Sequence, residues 1–444
     1  MIRTTLNLTE ASLGEVCRLV TDGTHDTPKR VAEGYPLIKA KEIVGGRIDF
    51  ETCDQISAEE HRKVIARSKP ELGDTLFAHI GASLGEAAYV NTKREFSIKN
   101  IALFKPDPAT IEGRYLYYLV ISPQFQALAK GTKTGSAQPF LGLHQLRSHR
   151  IRFHKDLLVQ NAIASILAAY DDLIETNSRR IELLEEMARA IYREWFVESR
   201  APGVRLRQAT AEERQAVGRD QFPEGWEVQR LGDHLRAIEA GKRPKGGATG
   251  VENGVPSIGA ENIDGIGQHD YASEKFVPRR FFEQMRRGIV RDRDVALYKD
   301  GAHIGRSSYF RDGFPHSECC VNEHVFLLRA SGKRLTPNAL YLWLQEPNTI
   351  FAIRGTNANA AQPGVNQQSV DGLKIVVPDT QLAERFDHVV EPMLASSVSL
   401  AKRIHVLRQT RELLLPRLMS GELSVEDLEG EAADPAQGLE EVMK

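Results

Sequence analysis

The sequence predicts an α+β protein written twice. Each half carries a twisted, mostly antiparallel sheet with short helices, and the two are separated by two long helices that pack on each other as a coiled coil, with pseudo-twofold symmetry. Three observations lead there. Landmarks recur in order: Leu13-Gly14-Glu15 answers to Leu231-Gly232-Asp233, and Pro36, Ile38, Ala40 and Ile43 answer to Pro256, Ile258, Ala260 and Ile263. Asp74, Gly81-Ala82 and Gly85 likewise answer to Asp294, Gly301-Ala302 and Gly305, and Gly131-Thr132 with Ala137-Gln138-Pro139 to Gly355-Thr356 with Ala361-Gln362-Pro363. A repeat of about two hundred residues is a whole domain with its connector, too long for a solenoid unit. Secondly, each copy is followed by a four-three apolar spacing. Thirdly, short apolar runs bounded by Gly, Pro and Asp read as strands.

In chain order, the first globular domain spans 1–155. Asp74–Ile80 and Asn100–Phe104 read as its buried strands, and the aromatics of Arg114–Leu119 as a short helix in the core. The first connector helix, 156–200, has the seam Ile163, Leu167, Tyr170, Ile174, Asn177, Ile181, Leu184, Ala188, Ile191 and Trp195. A 3.5-residue period makes a stripe that one helix cannot bury alone. Polar residues 201–222 read as a linker. The second domain, 223–378, has strands at Asp294–Tyr298 and His324–Leu328 and a helix at Ala339–Leu344. The second connector, 379–420, has the seam Phe386, Val390, Met393, Ser397, Leu400, Ile404, Leu407, Arg411, Leu414 and Leu418, and Pro392 should kink or restart it. The acidic tail 421–444 offers few apolar groups and reads as disordered.

With 444 residues, 41% of them hydrophobic, the chain can bury two or three cores, and a net charge of −2 excludes a simple polycation that binds nucleic acid by charge alone. Both globular copies are mildly basic, while the connectors and tail are acidic. No stretch reads as a membrane span or signal peptide, and four cysteines without paired spacing are no disulfide framework, so a reducing cytoplasm is expected.

Between the strands lie loops that combine glycine with basic and amide side chains. In the first copy they offer Thr24, His25, Thr27 and Lys29, then Lys39 and Lys41, Ser83 at the Gly-Ala turn, and Lys130, Lys133 and Thr134. In the second they offer Lys242, Arg243 and Lys245, then Glu261 and Asn262, His303 and Arg306, and Arg354, Asn357 and Asn359. Glycine lets backbone amides approach phosphate, Lys and Arg neutralise it, and Arg, Asn or Glu can read base edges. The loops keep their place between copies and change their chemistry, as a scaffold reading two targets would. Phosphate-binding G-x-x-x-x-G-K-[ST] loops, Asn-Pro-Pro-aromatic runs and Ser nucleophile elbows are missing, so no catalytic residue is assigned. His316, Cys319, Cys320 and His324 are close in sequence, but adjacent cysteines rarely share one ion, and no metal is assigned.

The duplicated variable domain, the matched helix after each copy and the ending Arg411-Glu412-Leu413-Leu414-Leu415-Pro416-Arg417-Leu418-Met419-Ser420-Gly421-Glu422-Leu423 make the chain resemble the specificity subunit of type I DNA restriction-modification systems. The Gly73-Asp74 strand with Gly81 and Gly85 fits that family, and in the second copy Arg293 replaces the first glycine. The resemblance implies a non-catalytic subunit with two target-recognition domains, each reading half of a bipartite double-stranded DNA site, and connector helices that pack as an antiparallel coiled coil and set the spacer. It also implies two methyltransferase subunits, which use S-adenosylmethionine for adenine-N6 methylation, and motor-nuclease subunits that use ATP and Mg to restrict unmodified DNA. No cofactor is expected on this chain itself. Two other readings stay open: an enzyme that modifies or cuts DNA alone, and a coiled-coil scaffold that binds no DNA.

Overall fold

The computed structural model describes residues 7–131, 140–247, 250–251, 253–356, 364–426 and 428. The chain divides into two compact units, Met1–Asp172 with Leu407–Lys444, and Leu173–Val406.

The larger sheet of the first unit has Cys17–Asp22, Ala102–Pro106, Thr75–Phe77 and Ala87–Tyr89 side by side, all antiparallel. Both of its faces are covered, which is why these strands read as continuous apolar runs. Val20, Phe77, Ala102 and Phe104 face a core shared with the helix Gly113–Ile121, whose Tyr115, Leu116 and Tyr118 are fully buried. Leu76, Ala88 and Leu103 face a second core with Ile38, Phe96 and Ile98. That core joins the large sheet to a smaller one, ordered Ser97–Ile98, Tyr35–Ile38, Asp54–Ile56 and Arg30–Val31, in which the first pair is parallel.

In the second unit Leu235–Ala240, Val325–Ala330, Asp294–Tyr298 and Ser307–Phe310 form the larger sheet. Lys275–Val277, Val255–Ile258 and Cys320–Val321 form the smaller, again with one parallel pair. Helix Pro337–Gln345 takes proline in its first turn, where no amide partner is lost, and Thr336 caps it through the amide of Ala339 at 3.1 Å.

The landmark aspartates are structural. Asp74 closes a turn through the Glu71 amide at 2.7 Å and accepts from Lys105 Nζ at 2.6 Å; Asp294 does the same with Arg291 at 2.9 Å and Arg329 at 2.7 Å. Arg293, which stands where Gly73 does, keeps a left-handed φ of 64° and sends its guanidinium to Glu391 at 2.8 Å.

The first connector helix runs Leu157–Tyr192 and ends in a π-turn, Arg193–Val197. By length and composition Leu157–Val197 could cross a membrane, contrary to the sequence reading. Its apolar stripe is instead covered by protein, and Glu175, Arg179, Arg180, Glu182 and Glu186 face outward. No seam position of either helix is exposed. In the first unit Ile163 and Leu167 share a core with Leu414 and Leu418, and Arg411 pairs with Asp171 at 2.6 Å. In the second unit Phe386 meets Tyr192, Trp195 and Phe196, with ring centroids 5.8, 5.7 and 4.7 Å away. The widened turn shifts the stripe, so Phe196 is buried and Trp195 only half-buried.

Three sequence expectations give way. The second helix, Thr380–Ser420, does not restart at Pro392: the proline and His388, whose carbonyl loses its partner, are both on the solvent side. The stretch read as linker contains a ribbon, Leu206–Gln208 with Gln221–Pro223, and a helix, Ala211–Val217. Thr210 and Glu213 form a capping box there, which a polar composition can equally encode. At the start of the tail, Leu423, Val425 and Leu428 pack on the first core; residues 429–444 lie outside the described residues.

Candidate nucleic-acid interface

In the first unit one rung of the sheet, Asp22–Ala102–Phe77–Ala87, marks an edge. Because neighbouring strands alternate in direction, the chain leaving Asp22, the chain entering Ala102 and the turn from Phe77 to Ala87 all emerge there. The parallel strands of the smaller sheet end beside them at Ile38 and Ile98. Thr24 bridges to Lys99. His25 lies between Asn100 Oδ1 at 2.9 Å and Asp22 Oδ2 at 3.0 Å, and Lys99 donates to the hydroxyl of Thr27. Lys29 is exposed beyond them.

Lys39 leaves the smaller sheet at this edge but is held by Asp54, which also pairs with Arg30 at 3.1 Å. Lys41 is exposed, 3.2 Å from the buried Glu42, and Ser83 is half-buried in the Gly81–Gly85 turn. Lys130 belongs to the helix Pro123–Gly131, and Lys133 and Thr134 lie outside the described residues.

The corresponding rung of the second unit is Ala240–Phe326–Leu297–Ser307. At its edge Arg243 reaches Glu323 at 2.9 Å, His324 touches Glu323 at 3.3 Å, and the other nitrogen of His324 lies 2.8 Å from Asp300. Lys242, Lys245, His303 and Arg306 are exposed around this network. Arg354, also exposed, donates to the Ile304 carbonyl at 3.0 Å and so steadies the glycine turn. Glu261 pairs with Lys275 at 2.6 Å; burial opposes its charge, but the Lys275 bond holds its carboxyl below the usual range. Asn357 and Asn359 lie outside the described residues.

Asn262 does not belong to this surface. It is buried, and its amide donates to the Asp270 carbonyl at 3.0 Å while its oxygen accepts from Gly259. A buried amide is costly unless bonded, and these bonds use it inside the fold.

Residues that sequence reading missed stand at the same edges. The apolar runs place Asn100 and His324 in strands, but pairing starts at Ala102 and Val325, which frees both for the edge. Lys99, Asp300 and Glu323 carried only their positions beside a strand end as a signal. His79 had no signal beyond lying in an apolar run: its Nδ1 faces the Leu141 carbonyl at 2.8 Å, its buried Nε2 has no partner among the described residues, and burial lowers its pKa, favouring neutral imidazole. Cys319 and Cys320 are buried thiols, with Cys320 pushed up to about 11 by burial.

Two copies of a sheet whose loops gather at one edge, carrying different polar groups in each copy, define a duplicated recognition protein. Residues 7–186 match the family model for the type I restriction modification DNA specificity domain. The chain is 23% identical over 413 residues to the MjaIX specificity subunit of Methanocaldococcus jannaschii, covering 88% of this chain and 90% of that one. It is 21% identical over 429 residues to the HindI specificity subunit of Haemophilus influenzae, covering 81% and 88%. The type I restriction-modification S subunit from M. genitalium has the same fold, with a TM-score of 0.57 at 14% identity over 94% of this chain and 98% of that one. Residues 7–186 thus match a type I specificity domain, and along most of its length the chain is similar to type I specificity subunits.

Proposed function

We propose that this chain is the DNA-recognition subunit of a type I restriction-modification complex, each globular domain reading one half of a bipartite site. The observation that carries this is the repeated sheet edge, which presents Lys99, His25 and Asn100 in one domain and Arg243, Glu323 and His324 in the other. Exposed cations there can hold phosphates, while the paired amide, imidazole and carboxylate groups are pre-positioned for base edges. Similarity to specificity subunits along most of the chain supports a non-catalytic role. Neither the self-sufficient enzyme nor the scaffold without DNA gains support.

The finer reading is that two methyltransferase subunits dock on the connector helices and supply S-adenosylmethionine chemistry at adenine N6, and that motor-nuclease subunits bring ATP and Mg. Burial of the apolar seams leaves the outer helix faces available for such docking. The helices then set the unread spacer, and the complex works in the cytoplasm, where its DNA is.

Co-expression with a type I methyltransferase subunit, followed by methylome sequencing, tests the function. The expected result is N6-methyladenine in one split motif; methylation at an unsplit motif, or unchanged without this chain, would overturn it.

A further inference from the structure

His269, Glu274 and His316 bring one ligand atom each to within 4.8 Å of one another. His269 precedes the turn Tyr271–Ser273, Glu274 follows it, and His316 lies on the turn after Phe314-Pro315. His269 Nε2 is 2.5 Å from Glu274 Oε1, and His316 Nε2 approaches the same oxygen. The side chains of His269 and Glu274 are 1% and 7% exposed, that of His316 27%.

A carboxylate held in a largely desolvated site draws positive charge towards it, and here two imidazole nitrogens converge on the same oxygen. A divalent cation seated between them would take that oxygen and both nitrogens as ligands, the imidazoles turning their lone pairs to it as they release their bonds to the carboxylate. We propose that these three residues form a binding site for a zinc-class divalent cation, with two imidazole nitrogens, one carboxylate oxygen and a fourth position open to water on the His316 side. Imidazole-rich sets of this kind favour Zn²⁺ over Mg²⁺ or Ca²⁺, which prefer oxygen alone.

Ligand atoms around a tetrahedral zinc stand about 3.3 Å apart, so the imidazoles need to draw back from the oxygen by less than about 1 Å. His316, on an open turn, has room to do so. The surroundings brace the site: the Tyr271 ring meets His269 edge-on at 4.5 Å and stacks on His405 of the second connector helix at 3.9 Å. The cation would thus pin two loops of this domain where they lean on that helix. The sequence pointed at His316 with the wrong companions: Cys319 and Cys320 are buried in apolar cores, and His324 is committed to Asp300.

Full-length protein stripped with a chelator and titrated with Zn²⁺ against a chromophoric competitor should bind one equivalent, with a rise in melting temperature. His316→Ala, at the most accessible ligand, should weaken binding at least about 100-fold and abolish that rise, with the far-ultraviolet spectrum of the metal-free protein unchanged. Co²⁺ loaded into the unmodified chain should give visible tetrahedral bands without thiolate charge transfer, a readout that needs no variant. Absence of stoichiometric binding, a thiolate band, or unaltered affinity in folded His316→Ala and Glu274→Gln would overturn the assignment.

Discussion

Glu391→Gln should loosen the second recognition domain from its connector helix. The carboxylate accepts from Arg311 at 2.7 and 3.2 Å, from Arg293 at 2.8 and 3.3 Å, and from Asn338 at 2.7 Å. Glutamine keeps the shape but turns one acceptor into a donor facing donors. Arg311, 3% exposed, keeps Asp312 at 2.9 Å, while Arg293 is left with Asp292 at 4.0 Å. Breaking a buried pair from one side costs roughly 3–5 kcal/mol; the retained Asp312 and the partial exposure of Glu391 bring the expected loss to about 2–3 kcal/mol.

The pH dependence has a defined sign. Burial disfavours the charge, but the bonds from Arg311, Asn338 and Arg293 outweigh it and hold the carboxyl at about 2, below its ordinary 4.5. A depressed folded-state pKa gives stability that is full above about pH 4.5 and is lost as pH falls towards 2. The variant should lack that component. All three tryptophans, Trp195, Trp226 and Trp343, lie in the second unit, so denaturant unfolding followed by tryptophan fluorescence reports it alone. A loss below about 0.5 kcal/mol at pH 7 would mean that the cluster is an ordinary surface ion pair. An unchanged slope between pH 5 and 3 would refute the linkage.

Replacing residues 223–377 by those of a relative should change one half of the methylated motif and leave the other intact; methylome sequencing showing both halves altered would sink the two-reader scheme. Lys242→Ala with Lys245→Ala should weaken DNA binding by the assembled methyltransferase and lower the salt slope by about 2, one for each phosphate no longer neutralised. Arg243→Ala, which also frees Glu323, should fall mainly on one half-site, and an even loss across sequences in binding assays would argue against base reading. Inserting four residues after Ser178 adds about 6 Å of helix, close to two base pairs, while keeping an apolar stripe. The spacer should lengthen or binding should fail, and methylation persisting at the old spacing would show that the helices do not set it.

The duplication, the long helices and the buried strands were legible because they rest on periodicity and apolar runs, which burial enforces residue by residue. Asp294–Tyr298 matches its observed strand end to end. The reading edge was legible only in part. Thr24, His25 and Arg243 stand in loops recognisable by glycine and charge, whereas Lys99, Asn100 and Glu323 owe their position to strand polarity, which no local pattern encodes. Asn262 shows the converse failure, since an amide in a polar loop looks the same whether it faces solvent or folds back. Arg293 was visible as a departure from the repeat, but its reason, a carboxylate about a hundred residues later, was not.

Gly23 and Gly241 stand at the same place in the two copies, immediately after the first long strand. A β-carbon on either would fall 2.1 Å from the Ile98 carbonyl oxygen or 1.7 Å from that of Val321, closer than any atom can sit. The root of each variable loop is therefore pinned to the scaffold, whereas the side chains of Thr27 and Lys29, or of Lys242, Arg243 and Lys245, stand in solvent. Tips can then lengthen, shorten or be traded between lineages without disturbing where the loop begins. Under the proposed function, a change of target needs only a few surface residues, while the crossing of backbone beneath them stays as it was.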